Sequence, residues 1–364
     1  MARAGLGDDW HCAFANDFSE TKAKSYRANW GGEDLVVEDI NKLTTQQLPN
    51  HADLAWASFP CQDLSLAGNG AGLEGTRSGS FWGFWRLIQG LNREGRKPSM
   101  IILENVYGTL TSHDGKDFEA IAKSIAAEGY SFGAMVVDAV QFVPQSRPRV
   151  FIICVAEGMV IPNDSVCERP SPAWHPDKLI GAYNSLPKKV KTKWKWWKMA
   201  EPVAPLSTLD EVIEPNPTGV KWNTREETRK IMSMMAPLHR QKVLAAQQVG
   251  RLQVGTIYKR TRAGIQRAEV RFDGIAGCLR TPGGGSSRQT IMVVDGAQIR
   301  TRLISSREAA RLMGLPEEYV LPSKYNEAYH LVGDGVVVPV VAHINQNVLL
   351  PIFNAQPQVQ QNVA

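Results

Sequence analysis

Three short segments hold residues able to do chemistry: Phe59-Pro60-Cys61-Gln62, Glu104-Asn105-Val106 and Gln145-Ser146-Arg147-Pro148-Arg149. A cysteine, a carboxylate and paired arginines suit covalent attack on a nucleic-acid base. A thiolate is a competent nucleophile where nearby cations and free backbone N–H groups lower its pKa, and Arg147 and Arg149 are candidates for that charge. A carboxyl beside it, protonated or sharing a proton, is able to hydrogen-bond a heterocycle. The arginines alternate about Pro148, so in an extended segment their guanidiniums point the same way, toward a phosphate or toward the carboxylate and base. The plainer alternatives are a core thiol, a strand-end glutamate paired with an arginine, and a surface salt bridge. Asn105 is expected to fix the loop.

The elements that must position these residues are short strands. Leu54 to Phe59 runs into Pro60-Cys61, Met100 to Leu103 into Glu104, and Val150 to Val155 follows the arginines. With Cys12 to Ala15, Leu35 to Val37 and Ser131 to Val137 they alternate with helical segments, the rhythm of a mostly parallel α/β sheet. Residues just past the carboxyl ends of such strands gather in one crevice. Phe118 to Gly129 has helical spacing and a glycine stop. A helix over Arg225 to Leu244 should kink or end at Pro237, and another starts near Ser305, with Gly314 as its stop. Val336 to Ile344 is the last apolar run, and the Gln- and Asn-rich tail, 356–364, is expected to be disordered.

The division expected is 1–158 for the catalytic unit, 159–285 for a smaller irregular or β unit that reads the target, and 286–355 for a return to the first. Gly283-Gly284-Gly285-Ser286-Ser287 reads as a mobile turn. Between 188 and 198, lysines including Lys193 and Lys195 interleave with Trp194, Trp196 and Trp197, a texture suited to phosphates and stacked bases or to a basic edge over a small core.

A chain of 364 residues with 43% hydrophobic residues has enough apolar surface for a large core. Its net charge of +5 is mild. The five cysteines are scattered without metal or redox spacing, so no metal is expected. No apolar stretch reaches the roughly 20 residues of a membrane span, and the N-terminus has no secretory pattern. A cytoplasmic monomer is expected.

The chain resembles the DNA (cytosine-5) methyltransferases of bacteria and phages. Their Pro-Cys-Gln, Glu-Asn-Val and Gln-x-Arg-x-Arg blocks occur here in order, followed by Ser305-Ser306-Arg307-Glu308-Ala309-Ala310-Arg311-Leu312-Met313-Gly314-Leu315-Pro316 and Gly333-Asp334-Gly335-Val336-Val337-Val338-Pro339-Val340. Each block is short, and five in sequence are specific. The likeness implies a Rossmann-like fold, S-adenosylmethionine as cofactor and duplex DNA as partner, with a cognate restriction endonuclease acting separately. It implies that Cys61 attacks C6 of a flipped cytosine, that Glu104 meets N3 and the exocyclic amine, and that Arg147 holds the nucleotide and supports Glu104, with Arg149 beside it. Asp17 and Phe18 then take the ribose and adenine, Asp39 and Ile40 the adenine edge, and Pro60, Asp334 and Val336 border the rest of the cofactor. Lys193, Lys195, Trp196, Arg260, Arg262, Arg267 and Arg271 are the DNA-contact candidates.

Two departures stand out. The family opens with a strand ending in Phe-x-Gly-x-Gly, and this sequence begins at residues resembling those just after it, Met1-Ala2-Arg3-Ala4-Gly5-Leu6-Gly7. A chain without that strand and turn should bind cofactor poorly and leave a gap in its sheet. Asp334 stands where the family usually has asparagine, and it accepts hydrogen bonds but donates none. A tRNA-modifying relative is the same-chemistry alternative, against which Gln62 argues. A non-catalytic DNA-binding relic is the other, against which Cys61, Glu104 and Arg147 argue.

Overall fold

Five of the six apolar runs expected in the first 158 residues become strands in the computed structural model, which describes residues 1–59, 79–205, 207–262, 264–280 and 288–357, while the run from Cys12 keeps only Ala15 in a strand. The elements in order are α1 (Ala2–Leu6), β1 (Ala15–Asn16), α2 (Glu20–Trp30), β2 (Leu35–Val36), β3 (Leu54–Ser58), α3 (Ser80–Arg93), β4 (Met100–Val106), α4 (Lys116–Ala127), β5 (Tyr130–Asp138) and β6 (Pro148–Ala156). Pro60, Cys61, the glycines between 68 and 72, and Gly283 to Ser287 lie outside the described residues, as do 358–364 of the tail.

β1 and β2 form a parallel pair, and the main sheet has the order β3-β4-β6-β5. β3, β4 and β5 share one direction, and β6 runs against them. Because side chains alternate along a strand, Met100 and Ile102 of β4 enter one core while Ile101 and Leu103 enter the other. Phe81, Trp85 and Ile88 of α3, and Phe118, Ile121 and Ile125 of α4, close the second face at helical spacing. Among the described residues β3 is paired only with β4, and its apolar residues Leu54, Ala55 and Trp56 stay half-buried.

Residues 166–199, expected in the second unit, pack instead on this sheet as β7 (Val166–Cys167), α5 (Asp177–Ser185), α6 (Lys188–Lys191) and β8 (Trp196–Trp197). The backbone of Phe132 in β5 accepts from Lys195 N at 2.7 Å and donates to Lys193 O at 2.9 Å. Gly133 permits the approach, since a Cβ there would sit 1.8 Å from the Lys195 carbonyl oxygen. Trp194 and Trp196 turn inward against Tyr183, and Trp196 also meets the His175 ring edge-on at 4.9 Å. Here the aromatic rings build core.

His175 itself is buried, its Nδ1 accepting from Ser171 N at 2.8 Å, and burial lowers its pKa to about 4. An unfolded histidine titrates near ~6.5. The folded protein therefore binds this proton less readily than the unfolded chain, and the stability it contributes is intact above pH ~6.5 and lost as pH falls toward 4. Acid denaturation should accordingly be less steep over that window in His175→Asn, whose carbonyl replaces the acceptor, as followed by tryptophan fluorescence.

The second sheet follows α7 (Leu209–Val212), α8 (Arg225–Ser233) and α9 (Pro237–Gln247), with β9 (Gln253–Arg262), β10 (Ile265–Arg271), β11 (Thr290–Asp295) and β12 (Gln298–Leu303) in the antiparallel order β10-β9-β11-β12. Pro237 ends nothing midway; it opens α9 at the first turn, where its missing N–H costs no bond. One sheet face packs on α8 and α9 through Ile257, Val270 and Met292. The other sends Val254, Ile291 and Val293 into the main core. β11 and β12, expected to return to the first unit, thus belong to the small sheet by pairing.

The chain closes with α10 (Ser306–Arg311), α11 (Tyr325–Asp334), α12 (Val338–Ile344) and α13 (Leu350–Asn354). Ser305 and Glu308 cap α10 reciprocally, and the buried Glu308 carboxylate holds Arg302 through both oxygens at 2.6 and 2.8 Å. The stretch Tyr325–Asn354 has the length and apolar composition of a membrane span, contrary to the sequence expectation. It breaks at residues 335–337, and Val332, Val340, Val341, Ile344 and Val348 are buried in the main core.

Candidate active site

Glu104 lies in the buried part of β4, two residues from its end, and Arg149 is the second residue of β6, and the antiparallel pairing of these strands brings the two ends together. Arg149 Nε lies 3.2 Å from Glu104 Oε1, with both side chains largely withdrawn from water. A carboxylate at a strand end inside an apolar layer needs such a partner. Asn105, the next residue, donates from Nδ2 to the carbonyl of Phe59 at 3.1 Å and accepts from Val106 N and Thr109 Oγ1. Phe59 is further held by its ring against Phe81 of α3, at 5.1 Å between centroids. The residue that enters Pro60-Cys61 is therefore anchored beside Glu104, as expected of Asn105.

Arg147 takes hydrogen-bond partners other than Glu104, whose carboxylate nonetheless favours its charge. It is 2% exposed and spends its guanidinium on backbone: Nη1 donates to Leu279 O at 2.8 Å, and Nη2 to Gly333 O and Gly335 O at 2.9 and 2.8 Å. Burial, and then the charge of Arg149, depress its pKa below the usual arginine value. The hydrogen-bonded partner of Glu104 is Arg149, because the carbonyls at the end of α11 and before the glycine run take the Arg147 guanidinium. Gln145, fully buried, adds to this clamp by donating to Leu312 O at 2.7 Å and accepting from Leu279 N at 3.0 Å.

The thiol that the two arginines contact among the described residues is Cys278, with Sγ 3.2 Å from Arg147 Nη1 and 3.9 Å from Arg149 Nη2. Burial pushes this thiol up, yet the two guanidiniums outweigh it and hold it below the ordinary cysteine value. No motif marked Cys278, and its only sequence signal is a cysteine just before the glycine run at 283–285. A small cavity opens beside the arginines, bordered by Val137, Phe151, Val336 and Val340.

On the cofactor side, Asp17 follows β1, and its Oδ1 accepts from Ser19 N at 2.8 Å at the entry to α2. Phe18 is 77% exposed. An outward aromatic ring next to a strand-end carboxylate fits an adenosine, whose ribose hydroxyls and adenine face need those two partners. Asp39 and Ile40 follow β2; Asp39 Oδ1 accepts from Asn41 N at 2.9 Å, and Ile40 lies against Gly83 of α3. Asp334 pairs with Lys22 of α2 at 2.9 Å, so its carboxylate ties α11 to the helix behind Phe18. Val336 is buried and borders the cavity by Arg147 and Arg149.

The DNA-contact candidates divide. Trp196 is buried, Lys193 is bonded to Glu157, and Lys195 lies on the outer edge of β5. Arg271 is closed onto Asp273 by two hydrogen bonds at 2.7 and 2.5 Å. Arg260 and Arg267 are directly opposed on β9 and β10, both exposed. Like charges so placed repel, and Glu269 of β10, at 3.8 Å from Arg260 Nε, supplies a long-range counter-charge. Arg262 ends β9 at the same hairpin.

An anchored strand end and a buried carboxylate–guanidinium pair on the main sheet, with a strand-end carboxylate beside an outward aromatic ring on the β1–β2 pair, belong to a Rossmann-like S-adenosylmethionine-dependent methyltransferase fold. The profile of the C-5 cytosine-specific DNA methylases matches residues 1–349, and the chain belongs to that family. It is similar to the type II methyltransferase M.HhaI of Haemophilus parahaemolyticus, 26% identical over 93% of this chain and 87% of the relative, and to M.BsuFI of Bacillus subtilis, 26% identical over 93% and 67%. In fold it resembles the S. pombe Dnmt2 methyltransferase, at TM-score 0.57, 16% identity and coverage of 94% and 92%, and Spodoptera frugiperda DNMT2, at 0.60, 17%, 97% and 95%.

Proposed function

We propose that this protein transfers a methyl group to C5 of cytosine within a specific double-stranded DNA sequence, through a covalent bond between Cys61 and C6. The observation that carries this reading is the Glu104–Arg149 pair at the end of β4, next to Asn105, which holds the carbonyl of Phe59 two residues before Cys61. Cytosine C5 is a poor nucleophile until C6 bears a covalent partner. Cys61 Sγ adds to C6 of the flipped base, and Glu104 delivers a proton to N3, so the electron pair arriving in the ring rests in an enamine rather than a carbanion. S-adenosylmethionine, held by Asp17, Phe18, Asp39 and Ile40, supplies an electrophilic methyl carbon. Loss of the C5 proton to a solvent base then returns the electrons that expel Cys61 as thiolate, and the N3 proton goes back to Glu104. The setting is the reducing cytoplasm, and the partner is duplex DNA.

Incubation with S-adenosylmethionine at saturation and duplex DNA carrying 5-fluorocytosine tests this. Fluorine cannot leave as a proton does, so the enzyme remains bonded to the base, and a denaturation-resistant adduct is expected. No adduct would sink the reading in favour of a DNA-binding relic. One observation favours weak cofactor binding: the β1–β2 pair carrying Asp17 and Asp39 shares no strand pairing with the main sheet among the described residues. Calorimetry should give a Kd for S-adenosylmethionine weaker than about 100 μM, or above roughly −5.5 kcal/mol in binding free energy; ordinary micromolar affinity would contradict that expectation.

The hairpin of β9 and β10 is the proposed DNA reader, entering the major groove. Arg260→Ala and Arg267→Ala should each weaken DNA binding and flatten its dependence on log salt by about one unit. Lys193→Ala should leave both within experimental scatter, since that ammonium is engaged with Glu157 on the far edge of the sheet. Filter binding across a salt series would reveal the opposite pattern if the tryptophan-lysine segment were the reader.

A further inference from the structure

Cys278 lies where the paired arginines meet the small sheet. Arg149 turns Nε to Glu104 at 3.2 Å and Nη2 to Cys278 Sγ at 3.9 Å, so one guanidinium is held between a carboxylate and a sulfur. Cys278 in turn accepts, at its carbonyl, a hydrogen bond from Tyr258 Oη at 2.6 Å. The fit there is tight: a Cβ on the neighbouring Gly277 would lie 1.9 Å from the Tyr258 ring. Tyr258 occupies β9 two residues before Arg260, and alternation along a strand puts both on one face. Contacts therefore run without a break from the exposed hairpin through Tyr258 and Cys278 to Arg149 and Glu104.

We propose that Cys278 is a positioning residue that sets Arg149 against Glu104 and makes that pairing depend on the placement of β9, so that DNA held by the hairpin is felt at the catalytic carboxylate. The proposal rests on the methyltransferase reading. Sulfur is a weak acceptor when protonated. The guanidiniums draw Cys278 toward the thiolate, which strengthens the hold. A hydroxyl keeps an acceptor at this position, and a methyl does not.

The test compares Cys278→Ala, Cys278→Ser, Tyr258→Phe and the Cys278→Ala/Tyr258→Phe double variant for rate of fluorocytosine adduct formation at saturating DNA and for DNA affinity. Cys278→Ala should slow trapping about tenfold with the DNA Kd held within about twofold, the size of one lost bond to a charged group. Cys278→Ser should recover about half of the rate, Tyr258→Phe should slow it about threefold, and the double variant should be no slower than Cys278→Ala, since both act on one path. A rate for Cys278→Ala within twofold of wild type, serine as slow as alanine, or fully additive effects would each overturn it.

Were wild type to form no adduct, the methylation reading would fail by itself. The contact path is then read in the DNA-free protein from hydrogen exchange at Arg149 Nε, assigned with Arg149→Lys by nitrogen-15 NMR. Exchange at least about fivefold faster in Cys278→Ala is the expected result, from loss of one of the guanidinium's three anchors, the third being the Pro148 carbonyl. Unchanged exchange would reject the positioning role, and a loss of general stability alone would not produce the change.

Discussion

Alanine at position 61 is expected to lower DNA methylation by more than about 10⁴-fold, the scale on which removal of a covalent nucleophile acts. The reason lies in the substrate. C5 of cytosine gains nucleophilic character only when electrons enter the ring at C6, and Cys61 stands two residues after the anchored Phe59. Cys278 is the other thiol to watch, since the guanidiniums of Arg147 and Arg149 that contact its sulfur also favour its thiolate. DNA affinity should persist, because phosphate contacts carry most of it. The measurement is adduct formation on 5-fluorocytosine duplex by denaturing electrophoresis, beside filter binding of the same DNA. An adduct formed by Cys61→Ala would show that another residue is the nucleophile.

The second large effect concerns Arg149. Its replacement by alanine leaves Glu104 buried without its hydrogen-bonded cation, and breaking one side of a buried ion pair costs about 3–5 kcal/mol. Arg149 retains some solvent contact, which places the expectation at the lower end of that range. The urea midpoint of Arg149→Ala should fall accordingly, and its trapping rate should drop by about two orders of magnitude, as expected for a mispositioned proton donor. Arg149→Lys should restore most of the stability, since a charge returns, yet little of the rate. A single ammonium cannot contact Glu104 through Nε and Cys278 through Nη2 as a planar guanidinium does. Equal recovery of both quantities by lysine would mean that charge alone matters at this position.

Arg147 offers the contrast. Its guanidinium holds the carbonyls of Leu279, Gly333 and Gly335, so it joins the glycine run's approach, the end of α11 and the start of β6. The sequence pattern treats the two arginines alike, because alternation about Pro148 says only that they share a side. Which of them meets Glu104 is decided by strand register: the antiparallel pairing sets Arg149 opposite Val106 and carries Arg147 past the end of β4. The same limit explains the tryptophans. Interleaved lysines and rings are compatible with a nucleic-acid surface, but Gly133 lets the segment close onto β5 and its rings turn inward.

By itself the sequence determined the strands, the order of the chemical blocks and their placement at strand ends, because hydrophobic alternation and glycine or proline punctuation are local signals. It also put a carboxylate and an arginine at neighbouring strand ends, where Glu104 and Arg149 pair, since strand ends in such a sheet share a side. Only the tertiary structure decided the partners: Arg149 for Glu104, backbone carbonyls for Arg147, Lys22 for Asp334, and β9 for the β11–β12 hairpin. Those choices join residues far apart in the chain, and each depends on register and on how closely two backbones approach. The role of Cys278 belongs to the same class, for nothing in its neighbours along the chain distinguishes it until Tyr258 and the two arginines are folded around it.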